Sequence, residues 1–180
     1  MKRAIKWIGG ILGVLVLVVV SAFAWFAYSF LESLEPIESI DQYQEVLAYW
    51  KACGPGLVDH FPSSVPASAR NVKFSSFPGF LQGGGHVQIR MELPEAEAKK
   101  LFEHATKTAK QHRDGGNPVS GPSPHTLAKD AYEFPADYRI FIFHAEPYKE
   151  GSGHDWNHGE SKGMVVSLQR NEVLYYAEQW

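Results

Sequence analysis

The chain has a single cysteine, Cys53, among its 180 residues. An internal disulfide is therefore excluded, and an oxidising exterior would add no covalent staple. There is no Asn-x-Ser/Thr acceptor, so nothing marks a glycosylated surface. There is no internal repeat, no GxxxxGK[ST] phosphate loop and no HExxH zinc motif. Basic residues are scarce beyond the N-terminal tip. Lys2, Arg3 and Lys6 take three of the 17 basic residues and none of the 20 acidic ones, which leaves the remainder with a formal charge of −6. That sign argues against nucleic acid as a partner, because phosphate binding calls for a positive surface. It also gives no reason to expect docking on anionic lipid.

The most informative absence is of charge between residues 7 and 31, WIGGILGVLVLVVVSAFAWFAYSFL. A bilayer-crossing helix needs about 20 apolar residues, and this run exceeds that. Lys2, Arg3 and Lys6 precede it, and Glu32, Glu35, Glu38 and Asp41 follow it. Basic flanks stay on the cytoplasmic side, so the N-terminus is expected inside and the rest outside the cytoplasmic (inner) membrane, with a single pass. Trp7, Trp25 and Tyr28 stand where aromatic rings meet headgroups. The alternative is a cleaved secretory signal, with Ala22-Phe23-Ala24 as the cleavage site and a secreted or periplasmic product after Ala24. The apolar continuation from Trp25 to Leu31 favours the uncleaved anchor. Gly9 and Gly13 have the small-xxx-small spacing of packed transmembrane helices, which suggests a weak homodimer.

The expected organisation is an anchor at 1–31, an acidic stalk at 32–38 and one domain at 39–180. Ser39 and Gln42 have capping-box spacing ahead of a helix whose apolar stripe is Ile40, Tyr43, Val46, Leu47 and Trp50. Gly54-Pro55-Gly56 stops it. Phe61-Pro62, Val65-Pro66 and Phe77-Pro78 mark extended chain over a core edge. A short strand is expected from Asn71 to Ser76. His86 to Leu93 alternates Val87, Ile89, Met91 and Leu93 with Gln88, Arg90 and Glu92, a strand with one buried face and one wet face. Pro94 opens a second helix, striped by Ala98, Leu101, Phe102, Ala105 and Ala109 and ended by Gly115-Gly116. Tyr138 to Ala145 is apolar on both faces, so it is expected near the sheet centre. Met164–Arg170 and Val173–Glu178 are two more strands, with Asn171 supplying a left-handed turn. The fold class is α+β: after the transmembrane helix comes one small domain, a mainly antiparallel sheet of four or five strands with two helices on one face.

The chemistry concentrates in residues 146–163, EPYKEGSGHDWNHGESKG, a connection too long for an ordinary hairpin. Asp155, Trp156 and Asn157 are the candidate ligand-binding residues. His144, His154 and His158 are the candidate metal ligands, and Zn²⁺ is the metal such donors suit. A His-x-x-x-His pair shares a face only on a helix, and Gly151, Gly153 and Gly159 oppose one. A polar loop with solvated histidines and Trp156 packed inward is the plainer reading. Gly83-Gly84-Gly85 precedes a strand and reads as a turn. Cys53 with His60 makes a poor nucleophile pair, because a helix C-terminus disfavours a thiolate. With no complete catalytic set, no catalytic residue and no cofactor are assigned. The expectation is a membrane-anchored, non-enzymatic binding or accessory module with a protein partner at the membrane. The alternative is a metal-binding or metal-dependent hydrolytic domain built on His144, His154 and His158.

Overall fold

A computed structural model describes residues 2–32, 35–79, 84–116, 134–147 and 159–179. The chain divides into two compact units, 1–35 and 36–180.

The first unit is helix α1, Lys2–Glu32. Its described side chains, Leu15 to Leu31, are apolar or aromatic around most of the axis and mostly exposed. Among the described residues, no helix is long and apolar enough to cross a membrane. The described stretch falls short of the roughly 20 residues that crossing needs. The transmembrane helix expected over residues 7–31 is therefore unsupported by the fold itself.

The second unit is α+β. Its elements are a 3₁₀ turn Ile40–Gln42, α2 (Tyr43–Cys53), β1 (Arg70–Phe77), β2 (Gly85–Glu92), α3 (Glu95–Thr108), β3 (Gln111–Asp114), β4 (Arg139–Pro147), β5 (Gly159–Ser167) and β6 (Glu172–Gln179). The strands form one sheet in the order β1-β2-β6-β5-β4-β3, and every neighbouring pair is antiparallel.

Six strands stand where four or five are expected. The extra one is β3, QHRD, which the sequence places at the end of α3. Helix α3 stops at Thr108 because Ala109 turns extended, and Lys110 N–H then donates to Ile142 O on β4. β4 lies one strand from the edge, not at the centre; the sheet's middle pair is β6 and β5. Its two apolar faces are explained by cover on both sides of the sheet. The Ser39–Gln42 capping box does not form: Ser39 makes no side-chain cap bond, and the chain enters through the 3₁₀ turn. After the helix stop, residues 54–61 fold as compact turns and bends that bury Leu57, Val58 and Phe61, and the Phe61-Pro62 to Val65-Pro66 stretch, expected to be extended, carries bends and no strand. Tyr43 Oη donates to Pro62 O at 2.7 Å and ties this segment to α2. Asn171 has φ 53°, the left-handed turn conformation expected between β5 and β6.

Alternation along the strands divides the core in two. On one face, Val87, Ile89, Met91, Phe141, Met164, Val166, Val173, Tyr175 and Ala177 pack with Tyr43, Val46, Leu47 and Trp50 of α2 and Ala98 and Ala105 of α3. Both helices thus serve the same face. On the other face, Ile140, Ile142, Val165, Leu174 and Tyr176 pack with Phe134 and Tyr138. The wet face expected for β2 is not wet at Gln88, which is fully buried.

Candidate functional site

The face opposite the helices carries the chemistry. Register fixes which side chains meet there. His86 of β2 lies opposite Glu178 of β6, which lies opposite Ser161 of β5. One step along, Ser75 of β1 faces Gln88, Gln88 faces Tyr176, and Tyr176 faces Gly163. Cross-strand partners project to the same side, so these residues form one patch. Gln88, Ser161 and Tyr176 are 0% exposed, and Ser75 and Glu178 are 7% exposed.

Ser75 Oγ lies 3.1 Å from His86 Nε2. Among the described residues, Nε2 and Oε1 of Gln88 and Oε1 of Glu178 are enclosed without a hydrogen-bond partner, while the enclosed Ser161 and Tyr176 hydroxyls act on one another. A buried polar group left unpaired costs roughly 1–3 kcal/mol, and native proteins contain few of them. Burial pushes the Glu178 carboxyl up to about 8. Burial also raises the Tyr176 hydroxyl, which Ser161 opposes and the Glu178 charge reinforces. Burial thus favours the protonated, uncharged form of the Glu178 carboxyl at neutral pH.

The other end of the same face shows what a completed network looks like. Arg90 Nε meets Glu172 Oε1 at 2.7 Å, and Tyr138 Oη donates to the same oxygen. Ser167 Oγ donates to Asp137 Oδ2 at 2.7 Å, and Arg170 Nε bonds that carboxylate at 2.8 Å. The Arg170 guanidinium holds Asp137 below its ordinary carboxylate value, and it also lies over the Tyr138 ring. These side chains pin the turn before β4 to the sheet. Leu174, Val165, Ile140 and Ile142 fill the space between the two ends.

The floor of the patch is held from behind by His60. Its Nε2 lies 2.9 Å from Gly163 O and 3.1 Å from Tyr176 O. Both partners are carbonyls, so Nε2 carries the proton and Nδ1 is the acceptor. Nδ1 is enclosed and unpaired. Burial lowers this imidazole to about 4, against the smaller opposing effect of the carbonyl bonds. Beside it, Lys162 Nζ donates to Gly56 O at 2.5 Å. The β4–β5 register shifts between Ile142 and His144, opposite Gly163. A Cβ on Gly163 would stand 2.0 Å from Phe141 O and 2.6 Å from Tyr176 Oη, so only glycine fits.

Of the sequence-based candidates, His144 is described and lies outside the patch. It pairs with Lys162 in the register, with Nε2 3.3 Å from Glu160 Oε1 and Nδ1 3.7 Å from Glu146 Oε1. His154, Asp155, Trp156, Asn157 and His158 lie outside the described residues. Among the described residues, no group of three His, Cys, Asp or Glu side chains could hold a metal ion. Cys53 is exposed, whereas the His60 Nε2 is committed to two carbonyls. Gly9 and Gly13 lie within α1, and nothing in the second unit bears on their pairing. Two open clefts lie elsewhere. One of about 280 Å³ is lined by Ile37, Val46, Tyr49 and Pro78. One of about 480 Å³ is lined by Arg70, Glu92, Arg170 and Asn171. Neither contains a member of the patch.

Sequence reasoning misses Gln88, Ser161, Tyr176 and Glu178 because each reads as an ordinary strand residue. One signal was present. EVLYYAEQ is apolar at alternating positions on both faces, so its second glutamate has to be covered as well. No protein-family model, no curated protein and no solved structure matches this chain.

Proposed function

We propose that the chain is a membrane-tethered, non-enzymatic binding module, with residues 7–31 as its anchor and the Gln88–Ser161–Tyr176–Glu178 patch as its binding site. The observation that carries the reading is the set of enclosed polar atoms on one face of the sheet that have no partner among the described residues, both ends of the Gln88 amide and one oxygen of Glu178. Sequences tend to break their own packing rules at functional positions, where stability is given up for a site. The anchor rests on the 25 uncharged positions and their basic-before, acidic-after flanks. These flanks support a second unit outside the cytoplasmic membrane.

Replacing Gln88 by Met tests the site. The change removes two unpaired buried atoms while keeping volume. Without ligand it is expected to raise the melting temperature of the full chain in detergent by about 3 °C or more, from roughly 1–3 kcal/mol of relief. A lowered melting temperature would mean that Gln88 serves the fold, and the site reading fails. For the anchor, the expected results are resistance to carbonate extraction and activity of an export-dependent reporter fused after Trp180. A soluble chain, or a reporter active only in the cytosol, refutes the tether.

A further inference from the structure

We infer that the larger open cleft, at the bulged end of β1, takes a zwitterion of the α-amino-acid class, with Arg70 on its carboxylate and Glu92 on its ammonium. This goes beyond the Gln88 patch and does not depend on it. The cleft has a volume of about 480 Å³, and its walls include Arg70, Glu92, Leu93, Pro94, Arg170 and Asn171. Unlike the patch it is open to solvent: Arg70 is exposed and Glu92 partly so.

Arg70 and Glu92 are register partners on neighbouring strands, an arrangement in which opposite charges ordinarily attract. They do not close on each other. Among the described residues, neither has an ion pair or a side-chain hydrogen bond. The ladder breaks beside them, between Arg70 and Lys73, where Asn71 takes φ 49°. Bulges of this kind re-aim side chains and interrupt pairing. The neighbouring charges are already engaged. Arg90 meets Glu172 at 2.7 Å, and Glu97 accepts from Ser68 Oγ at 3.0 Å. Asp137 accepts from Nε and Nη2 of Arg170.

One guanidinium and one carboxylate therefore stand side by side in the cleft, each unanswered. Their charges cancel, and Arg170 is balanced by Asp137. A phosphate or a simple carboxylate would meet Arg70 but face Glu92 uncompensated. A simple amine would meet Glu92 but face Arg70. A molecule carrying both charges answers both. Opposed residues on neighbouring strands have Cα atoms about 5 Å apart. That closeness suits charges borne on a single carbon atom and its neighbour, as in an α-amino acid. Arg170 keeps three of its five N–H donors for the same ligand. Leu93 and Pro94 give the cleft an apolar wall, which suits an aliphatic side chain.

The probe is leucine. 4-Methylpentanoate lacks its ammonium and 3-methylbutylamine lacks its carboxylate, and both keep the apolar body. Saturation-transfer NMR on the full chain in detergent, with empty micelles subtracted, is expected to show saturable binding of leucine. Its affinity should exceed that of either analogue by about tenfold or more. Arg70→Gln and Glu92→Gln should each weaken leucine by about tenfold. Both variants should melt within about 2 °C of the parent, because neither side chain makes a contact that the fold uses. They should also move the preference in opposite directions, Arg70→Gln toward the amine and Glu92→Gln toward the carboxylate. A general loosening of the fold would not do that. The inference is overturned by the absence of a saturable leucine response, by an analogue that binds as tightly as leucine, or by a preference that neither variant moves. The analogue comparison uses the parent chain, so it decides the matter even where a variant unfolds.

Discussion

Two enclosed titratable groups sit on opposite sides of the same strands, and they give the fold a pH profile of distinctive shape. Burial raises Glu178 from 4.5 to about 8 and lowers His60 from 6.5 to about 4. A group with a raised folded-state pKa contributes stability that is complete below its unfolded value and is lost as pH rises to the folded one. For Glu178 that window runs from 4.5 to about 8. A group with a depressed folded-state pKa behaves oppositely. His60 contributes stability that is complete above 6.5 and lost as pH falls toward about 4. Within its window each changes the unfolding free energy by about 1.4 kcal/mol per pH unit. Between 4.5 and 6.5 the two slopes oppose each other, so their joint contribution is flat. Above 6.5 only Glu178 still titrates, and about 2 kcal/mol is lost by pH 8. Glu178→Gln should unmask the histidine, giving stability that rises by about 3 kcal/mol from pH 4 to 6.5 and then holds level. His60→Gln should unmask the carboxyl, giving a continuous fall of about 5 kcal/mol from pH 4.5 to 8. The measurement is urea unfolding of the full chain in detergent at several pH values, followed by tryptophan fluorescence. Trp50 is a suitable reporter, being buried against the sheet with its indole N–H donating to Ser76 Oγ at 3.1 Å. Comparing variants at equal pH cancels the titrations they share. Parallel profiles for the parent and Glu178→Gln would refute the reasoning, because the carboxyl would then ionise in its ordinary range.

Two further predictions concern the framework. Gly163→Ala should destabilise by about 3 kcal/mol or more, since its Cβ would collide with the Phe141 carbonyl, a backbone atom that cannot step aside; a denaturation midpoint within error of the parent would refute the tight approach. Glu172→Leu should cost about 1.5–3 kcal/mol by taking the carboxylate from the half-buried Arg90 guanidinium and leaving it the Tyr138 hydroxyl. Adding Arg90→Met should recover much of that loss, which a double-mutant cycle would detect as coupling, and additive losses would count against the pair.

How much of this was legible in the sequence depends on where each residue's information lies. The α2 stripe was legible because Tyr43, Val46, Leu47 and Trp50 repeat at helical spacing and all four face the sheet. The buried side of β2 was legible for the same reason at period two. Ile40 carries the same spacing but is 37% exposed, because the 3₁₀ turn rotates it off the stripe. The end of α3 was misread because Lys107, Lys110 and Arg113 look like partners for a helix dipole. What stops the helix is a bond from Lys110 to a strand some thirty residues further along the chain, and no local pattern encodes that. β3 is four polar residues long and exists only because β4 offers it an edge. The site was illegible for a related reason. A glutamine at an alternate position of a strand reads as solvent-facing until the other face is known to be covered.

The patch and its supports belong to one argument about why these residues stand in the middle of a sheet. Leu174 and Val165 show that the second face accepts aliphatic side chains in full burial. Leucine at position 88 and valine at 178 would keep the register of β2 and β6 and remove the unpaired atoms. A second core alone therefore gives no reason for Gln88 or Glu178. The register then brings the two together with Ser161 and Tyr176, and that convergence depends on particular concessions. Gly163 gives up a side chain so that Tyr176 can lie across it, and the register shift opposite it leaves the backbone in need of support. His60 supplies that support by bonding the carbonyls of 163 and 176, and to do so it gives up its own charge and leaves Nδ1 unpaired. Helices α2 and α3 are spent on the face behind, where the packing is ordinary. A fold that keeps a neutral buried histidine and a buried carboxyl on opposite sides of the same strand pair gives up stability at both, each in its own pH range.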